Sequence, residues 1–545
     1  MKQFNFGILV GFLVLVFGAG GAFGQSFLHS DGQIIVNENG QKVLLQGVGL
    51  GNWMLPEGYM WKFGEHGDRP RKIEKIVTDF LGQEKAAKFW ETYRKNYITE
   101  ADIKRIAELG YNSVRPALNS RLFLTEGENN EFVNEGFQLL DSLVARCKRN
   151  HIYVIIDMHG APGGQTGQNI DDSPNNVPEL FSNPKNQDLL VKLWVKIADR
   201  YKNEPTVAAY DLLNEPLPER TGAAAKYKDQ LVPVYQRLIK AIREVDQKHI
   251  FTLEGYNWAN NWSEFKEALD KNMCFQFHYY CWSNPDNLND ISNFLKQQKV
   301  LNTPIWVGET GERNNAIYFA TSQYFEKHNI GWSFWPWKKM DTSNTPYSIK
   351  SPEGWNDIAA YSRSEDKDLF IKVNAEKIFN EFLENIKIEN CTYFPDVVNS
   401  MFRRTPLKIE AENYGSDGYL ISYQVNDTIN MSTNYRKNEP VKIQVIGQDF
   451  RKSSGQYITL DSGEWTAYKC KASKKIICNV SMQIKAVKQP AEIILWINGK
   501  SNELKVDQTE WTELKLNPQV FRKDENEIKF EVKNGSVDLD WINIY

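Results

Sequence analysis

The chain has 545 residues, 41% hydrophobic and 25% charged, which excludes wholesale disorder and predicts about two to four domains, or one large barrel plus a smaller unit. Its 65 Lys and Arg against 69 Asp and Glu leave a net charge of −4, too even a balance for electrostatic capture of nucleic acid. Aromatic residues reach 13%, which cores can absorb and which sugar clefts also use as flat faces.

Lys2, the apolar stretch 8–17 and the small residues ending Ala22-Phe23-Gly24 form the three-part pattern of a secretory signal peptide over residues 1–24. The apolar run falls short of the ~20 residues that a bilayer span requires, so cleavage near Gly24 is expected. The mature protein is then secreted, extracellular or periplasmic, free of the membrane and monomeric. Six cysteines are too few for a disulfide scaffold, although Cys470 and Cys478 flank a hairpin turn and are candidates to pair. Cys274 and Cys281 lie along one extended stretch, too far apart to bond.

From about residue 43 to 386, apolar β-rich runs alternate with helical patterns. The strand candidates are 43–48, 111–115, 152–157, 207–213, 250–254, 273–279, 305–308 and 330–335. Most are continuous apolar runs, as strands buried on both faces require. Between them, Thr99-Glu100-Ala101-Asp102 opens one helix, and 132–149, 189–201 and 231–245 read as others. Eight such units predict an α/β fold, a (β/α)8 TIM barrel over residues 25–388. Residues 389–406 read as a linker. Residues 407–545 show strand-like stretches between turns, without a helical period, and predict an all-β sandwich. In that module Trp465 and Trp541 read as core.

Barrel chemistry sits at the C-terminal ends of the strands. The second strand ends in Asn112-Ser113-Val114-Arg115-Pro116 and the third in Asp157-Met158-His159-Gly160. The fourth ends in Asn214-Glu215, the sixth in His278-Tyr279-Tyr280, the seventh in Gly308-Glu309-Thr310 and the eighth in Trp335-Pro336-Trp337. Taken singly, Arg115 reads as well as a surface ion pair, His159 and His278 as core histidines, and Glu215 as a helix cap. Together they converge on one mouth, where titratable groups mark a site more often than chance packing does. A carboxylate pair is the equipment of glycoside hydrolysis, one carboxyl as acid and the other as nucleophile when they stand about 5 Å apart. Arg115 and Tyr280 suit the support of an ionised Glu309, Asn214 suits a sugar hydroxyl, and Trp335 suits the floor under a pyranose ring.

These residues resemble glycoside hydrolase family 5. Its Arg, His, Asn-Glu, His-x-Tyr, Glu and Trp positions match Arg115, His159, Asn214-Glu215, His278-x-Tyr280, Glu309 and Trp335, in order, over about residues 40 to 386. The resemblance implies Glu215 as acid/base and Glu309 as nucleophile, with no cofactor for catalysis; Trp337 is the rival to Trp335. Gln46-Gly47-Val48-Gly49-Leu50-Gly51-Asn52-Trp53-Met54-Leu55-Pro56-Glu57, Phe89-Trp90 and His159-Gly160-Ala161-Pro162-Gly163-Gly164-Gln165 resemble the exo-β-1,3-glucanases of that family, in which the residue at Glu57 reads the non-reducing sugar. Asn52 departs from the usual Gly-Gly-Trp, and 59–71 is this chain's own.

The C-terminal module resembles carbohydrate-binding modules of family 6 or 35, through Ile409-Glu410-Ala411-Glu412-Asn413-Tyr414, Gly463-Glu464-Trp465 and Leu539-Asp540-Trp541-Ile542. The resemblance implies a structural calcium on Glu410, Glu412 and Asp540, and a ligand cleft with Tyr435, Trp511 and Asp538; Asp538 stands where the family often has Asn. The glycine-rich loop 160–167 lacks the Gly-Lys-Ser/Thr ending of a phosphate loop and reads as an active-site loop. The expected function is a secreted retaining β-glycosidase acting on β-linked glucan, β-1,3 or β-1,6 before others. The alternatives are the same chemistry on β-1,4-glucan or β-mannan, and a non-catalytic glycan-binding protein.

Overall fold

The computed structural model describes residues 25–127, 129–281, 291–364, 374–433, 435–446 and 455–545; the signal-like segment 1–24 lies outside them. Eight parallel strands close into a barrel: β1 (Gln46–Leu50), β2 (Ser113–Asn119), β3 (Tyr153–Gly160), β4 (Val207–Asp211), β5 (Ile250–Glu254), β6 (Met273–His278), β7 (Ile305–Gly311) and β8 (Gly331–Trp335). Closure comes from β8 pairing in parallel with β1, Trp332 opposite Gln46 and Phe334 opposite Val48. All residues of β2, β4, β5, β6, β7 and β8 are buried, which is why these strands read as apolar runs and not as alternating ones.

The expected eight strands are present, and their ends differ instructively. Strand β2 runs four residues beyond the expected end at Arg115, through Pro116, with a register shift between Ala117 and Asn119 where it pairs with β3. Strand β7 continues through Glu309 and Thr310 to Gly311. A proline or an acid reads as the end of a strand in sequence. Here both lie inside the barrel wall, because a site, not solvent, receives the polar side chains.

Helices pack outside the barrel with the apolar faces that their spacing indicates. The helix Glu100–Glu108 begins with a capping box in which Thr99 and Asp102 satisfy each other's backbone donors, and it buries Ile103 and Ile106. The stretch between barrel and module is folded: Pro395–Phe402 is a helix that buries Val397, Val398 and Met401. The junction carries Arg403 on Glu326 at 2.5 Å, Lys471 on the same carboxylate at 3.1 Å, and Gln323 donating to the Tyr414 carbonyl at 3.1 Å.

The C-terminal unit is all-β and antiparallel. Its strands include β9 (Leu407–Glu410), β10 (Gln456–Asp461), β11 (Trp465–Ala472), β12 (Ile476–Ile497) and β13 (Asp524–Ile544). Strands β12 and β13 pair along most of their length, with register shifts that bend them around a core including Ile484, Leu495, Phe530 and Ile542. Cys470 and Cys478 carry free thiols. They do not pair, although each is buried. Trp465 and Trp541 are half-buried rather than core, each under a lysine ammonium, Lys529 at 4.6 Å and Lys408 at 5.1 Å from the ring centre.

Candidate active site

The floor of the site is built by what β1 leaves out. A Cβ on Gly49 would stand 2.3 Å from the Trp335 ring, and one on Gly51 2.5 Å from its far edge. Only glycine admits that indole. Trp335 then stacks on the His159 imidazole, with ring centres 5.3 Å apart and planes 6° from parallel, and its Nε1 donates to the Tyr59 hydroxyl at 3.1 Å. Trp337, its rival, lies away from the cleft, fully buried and donating to Asp102 at 3.0 Å.

Arg115 organises the interior from β2. Its guanidinium is 0% exposed and surrounded by five acceptors from four strands and their ends. Nη1 donates to Glu309 at 2.6 Å and lies 3.2 Å from Asp157; Nε donates to Asp211 at 2.8 Å; Nη2 donates to Asn214 at 2.7 Å and Glu254 at 3.3 Å. Its planar fork matches such a set; a lysine ammonium does not. Glu309 also accepts from the Tyr280 hydroxyl. Burial alone would raise the Glu309 carboxyl, yet His278, Arg115, His159 and the Tyr280 hydroxyl hold it below its ordinary range. This carboxylate is kept anionic.

Glu215 follows β4 with its φ at +45°, a left-handed conformation that a residue before proline seldom adopts. Its Oε1 lies 2.6 Å from His278 Nδ1. One ligand atom each of Glu215, His278 and Glu309 falls within 4.8 Å of the others. Burial lowers His278, but the carboxylates of Glu309, Glu254 and Glu215 outweigh it and keep the imidazole well above its ordinary range, so a protonated His278 and Arg115 balance these acids. His159 is likewise held up, at about 9, because Asp157 accepts from its Nδ1 at 2.7 Å and outweighs the effect of burial. His159 Nε2 stands 3.3 Å from the Asn214 amide. The glycine-rich loop braces this arrangement: Gln165 donates to the carbonyls of His159 at 2.6 Å and Asn214 at 2.9 Å.

His159, Glu215, His278, Glu309 and Trp335 line a cleft of about 580 Å³ that also includes Glu57, Tyr59, Trp258, Asn260, Tyr280 and Glu312, with Arg115 and Asn214 beneath it. Glu57 is buried, and its Oε1 has no partner among the described residues. Burial, opposed by His159 and reinforced by Glu309, Glu312 and Glu215, raises its carboxyl well above the ordinary range. Asn52, the departure from Gly-Gly-Trp, holds this loop: its φ is +63°, and its Oδ1 accepts from the Glu57 backbone at 3.1 Å and from Trp61 Nε1 at 2.8 Å. The structure thus brings Glu57, Arg115, His159, Asn214, Glu215, His278, Tyr280, Glu309 and Trp335 together. Sequence reasoning passed over Tyr59, Asp211, Glu254 and Glu312. Glu254 and Asp211 are the last residues of β5 and β4, so the same question about strand ends points to them.

In the C-terminal unit, Trp511 packs edge-on against Tyr457 at 5.3 Å. Lys485 lies 4.9 Å from the Trp511 ring centre and pairs with Asp538 at 3.2 Å, while Thr459 donates to Asp538 at 2.7 Å. Tyr435 does not join them. It is 3% exposed at the junction with the barrel, its hydroxyl donating to Asn413 at 3.0 Å, and it borders a separate cavity with Tyr324 and Lys327 that Trp511 does not line. Glu410, Glu412 and Asp540 are neighbours. Glu412 Oε2 is buried without a partner among the described residues, and burial, with Glu410 and Asp540, raises that carboxyl. Burial and Glu410 push Asp540 up to about 6. Three mutually repelling hard-oxygen donors fit a calcium ion. Among the described residues, however, they do not close to one oxygen each within 4.8 Å, so they would have to draw together around it.

Residues 76–341 match the family model for cellulase, glycosyl hydrolase family 5. The chain is 31% identical over 258 residues to a beta-xylosidase of Phanerodontia chrysosporium, covering 47% of this chain and 52% of that protein. It is 28% identical over 280 residues to a probable glucan 1,3-beta-glucosidase A of Emericella nidulans, covering 49% and 66%. It is 31% identical over 196 residues to endoglucanase C of Acetivibrio thermocellus, covering 35% and 53%. The chain thus spans about half to two thirds of the length of these relatives. The match to the cellulase model of glycosyl hydrolase family 5 takes in seven of the eight barrel strands and both glutamates, the one following β4 and the one on β7.

Proposed function

We propose that the protein is a retaining β-glycosidase acting on β-linked glucan, with β-1,3 and β-1,6 linkages favoured. One observation carries the reading: Glu215 and Glu309 face each other across His278 within 4.8 Å, the spacing that lets one carboxylate attack directly rather than through a water. Glu215 gives its proton to the glycosidic oxygen as Glu309 attacks the anomeric carbon and the bond to the leaving group breaks. Glu215, now a carboxylate, takes a proton from water, whose oxygen displaces Glu309 and regenerates the free acid pair. Arg115 and Tyr280 keep Glu309 ionised, Asn214 and His159 offer polar atoms to the sugar, and Trp335 lies beneath it. Glu57, with a buried oxygen unpartnered among the described residues, suits a hydroxyl of the non-reducing sugar.

The names of the relatives span xylosidase, glucan 1,3-glucosidase and endoglucanase. The motif from Gln46 to Glu57 favours the second. Glucose as the sole product from β-1,3- or β-1,6-glucan, lost in Glu309→Gln and Glu215→Gln with folding intact, is the expected result. Mixed oligosaccharides from β-1,4-glucan or β-mannan would move the substrate, and undiminished turnover in either variant would sink the assignment. Secretion follows from residues 1–24, and among the described residues no helix is long and apolar enough to cross a membrane. The C-terminal unit is proposed to bind carbohydrate at Trp511 and Asp538 and to hold calcium at Glu410, Glu412 and Asp540. Calcium is expected to raise the melting temperature of wild-type protein and not of Glu412→Gln; equal response in both would exclude that site.

A further inference from the structure

Glu254 ends β5 and is 0% exposed, yet nothing in the two-carboxylate chemistry uses it. Its surroundings are one-sided. Oε1 accepts from Gln276 at 2.8 Å and from Arg115 at 3.3 Å, and lies 3.3 Å from His278 Nε2. Oε2 accepts from the backbone N–H of Glu215 at 2.5 Å. Tyr235 fixes the strand end, its hydroxyl bonding both the carbonyl and the N–H of Glu254. Every side-chain neighbour within bonding reach is a donor. The two carboxylate oxygens accept from three donors, Gln276, Arg115 and the Glu215 N–H, with the His278 ring beside them; an amide must turn its NH₂ toward one of these.

Two of those contacts converge on one residue. Glu254 holds the Glu215 backbone directly, where φ is +45° and the conformation needs an outside restraint. It also faces the far nitrogen of His278, whose near nitrogen holds the Glu215 carboxyl at 2.6 Å. We infer that Glu254 is a positioning residue that aims the acid/base Glu215, through its backbone and through His278. The inference rests on the retaining-glycosidase reading. It weighs on acid catalysis more than on attack by Glu309, because Glu254 bonds the Glu215 backbone directly, whereas it reaches Glu309 only through Arg115 and His278, and Glu309 keeps its own bonds from Arg115 Nη1 and the Tyr280 hydroxyl.

The test compares two substrates in Glu254→Gln. A glucan oligosaccharide has a poor leaving group and needs a well-aimed acid. A 2,4-dinitrophenyl β-glucoside has a leaving group that departs without a proton. Loss of a charge-assisted bond is expected to lower kcat/KM on the oligosaccharide by about 10- to 100-fold. On the dinitrophenyl substrate it is expected to fall less than about 3-fold, since that ratio reports the first chemical step. Glu254→Asp keeps the charge balance around Arg115 and withdraws the oxygens by one methylene; it is expected to show the same selective loss if Glu254→Gln fails to fold. Equal losses on both substrates, or none on either, in protein that melts as wild type does would overturn the positioning role. Wild-type protein inert on both substrates would overturn the glycosidase reading itself.

Discussion

Replacing Arg115 by Met removes the charge while nearly keeping the length and volume of the side chain. The guanidinium is 0% exposed and contacts Asp157, Asp211, Glu254 and Glu309 at 2.6 to 3.3 Å, with Asn214 at 2.7 Å. Removing one partner of a buried ion pair costs about 3–5 kcal/mol, because the other charge stays in the dry interior. Here four carboxylates lose their shared cation, although the imidazoles of His159 and His278 remain close to Asp157, Glu254 and Glu309. A loss at the upper end, about 5 kcal/mol, is expected, a large share of the about 5–15 kcal/mol that stabilises a domain. The deficit depends on pH with a definite sign. Carboxylates stripped of their partner have folded pKa values above their unfolded values. Their stabilisation is present in acid and lost as pH rises through the folded values, so the deficit should be smallest near about pH 4 and grow toward neutrality. The assay is thermal unfolding of the barrel at a series of pH values, beside kcat/KM. A deficit under about 1 kcal/mol without pH dependence would refute the role of Arg115 as the shared counter-ion.

His159 titrates at about 9 rather than 6.5, held up by Asp157. A raised folded pKa gives stability that is full below the unfolded value of about 6.5 and lost as pH rises through 9, about 3 kcal/mol in all. Wild-type protein should soften across that window and His159→Gln should not; parallel melting curves would remove His159 from the account. Asn52→Gly restores the residue that the related motif usually carries. It relieves a φ of +63° but deletes the bonds to the Glu57 backbone and Trp61, for a net loss of about 1 kcal/mol and a raised KM for short glucosides. An unchanged KM would show that Asn52 does not hold Glu57 in place.

The barrel was legible because buried parallel strands are continuous apolar runs, and the question of what ends each run found Arg115, His159, Glu215, His278 and Glu309. Glu254 ends the fifth run, 250–254, but it stands there alone, without a polar neighbour in sequence, and only the fold shows what it touches. Tyr59 lies in a single 3-10 turn, Gly58–Trp61, and Glu312 just past the end of β7, where neither period nor motif marks them, and the closed barrel brings both to one cleft. Trp335 and Trp337 were inseparable by spacing; the missing Cβ atoms at Gly49 and Gly51 show which indole enters the site. Tyr435 illustrates the reverse case. Its chemistry suits a sugar cleft, but the module meets the barrel where its ring lies.

What the sequence alone determined is the class of fold, the two-part organisation and the pair of glutamates, because hydrophobic period and residue type are local properties of the chain. Tertiary structure alone decided the protonation of Glu309 and His159, the clamp of Glu254 on Glu215, the absence of a Cys470–Cys478 bond and the burial of Tyr435. Each depends on which groups from distant positions share a dry volume, and electrostatics and packing are set by distance in space rather than along the chain.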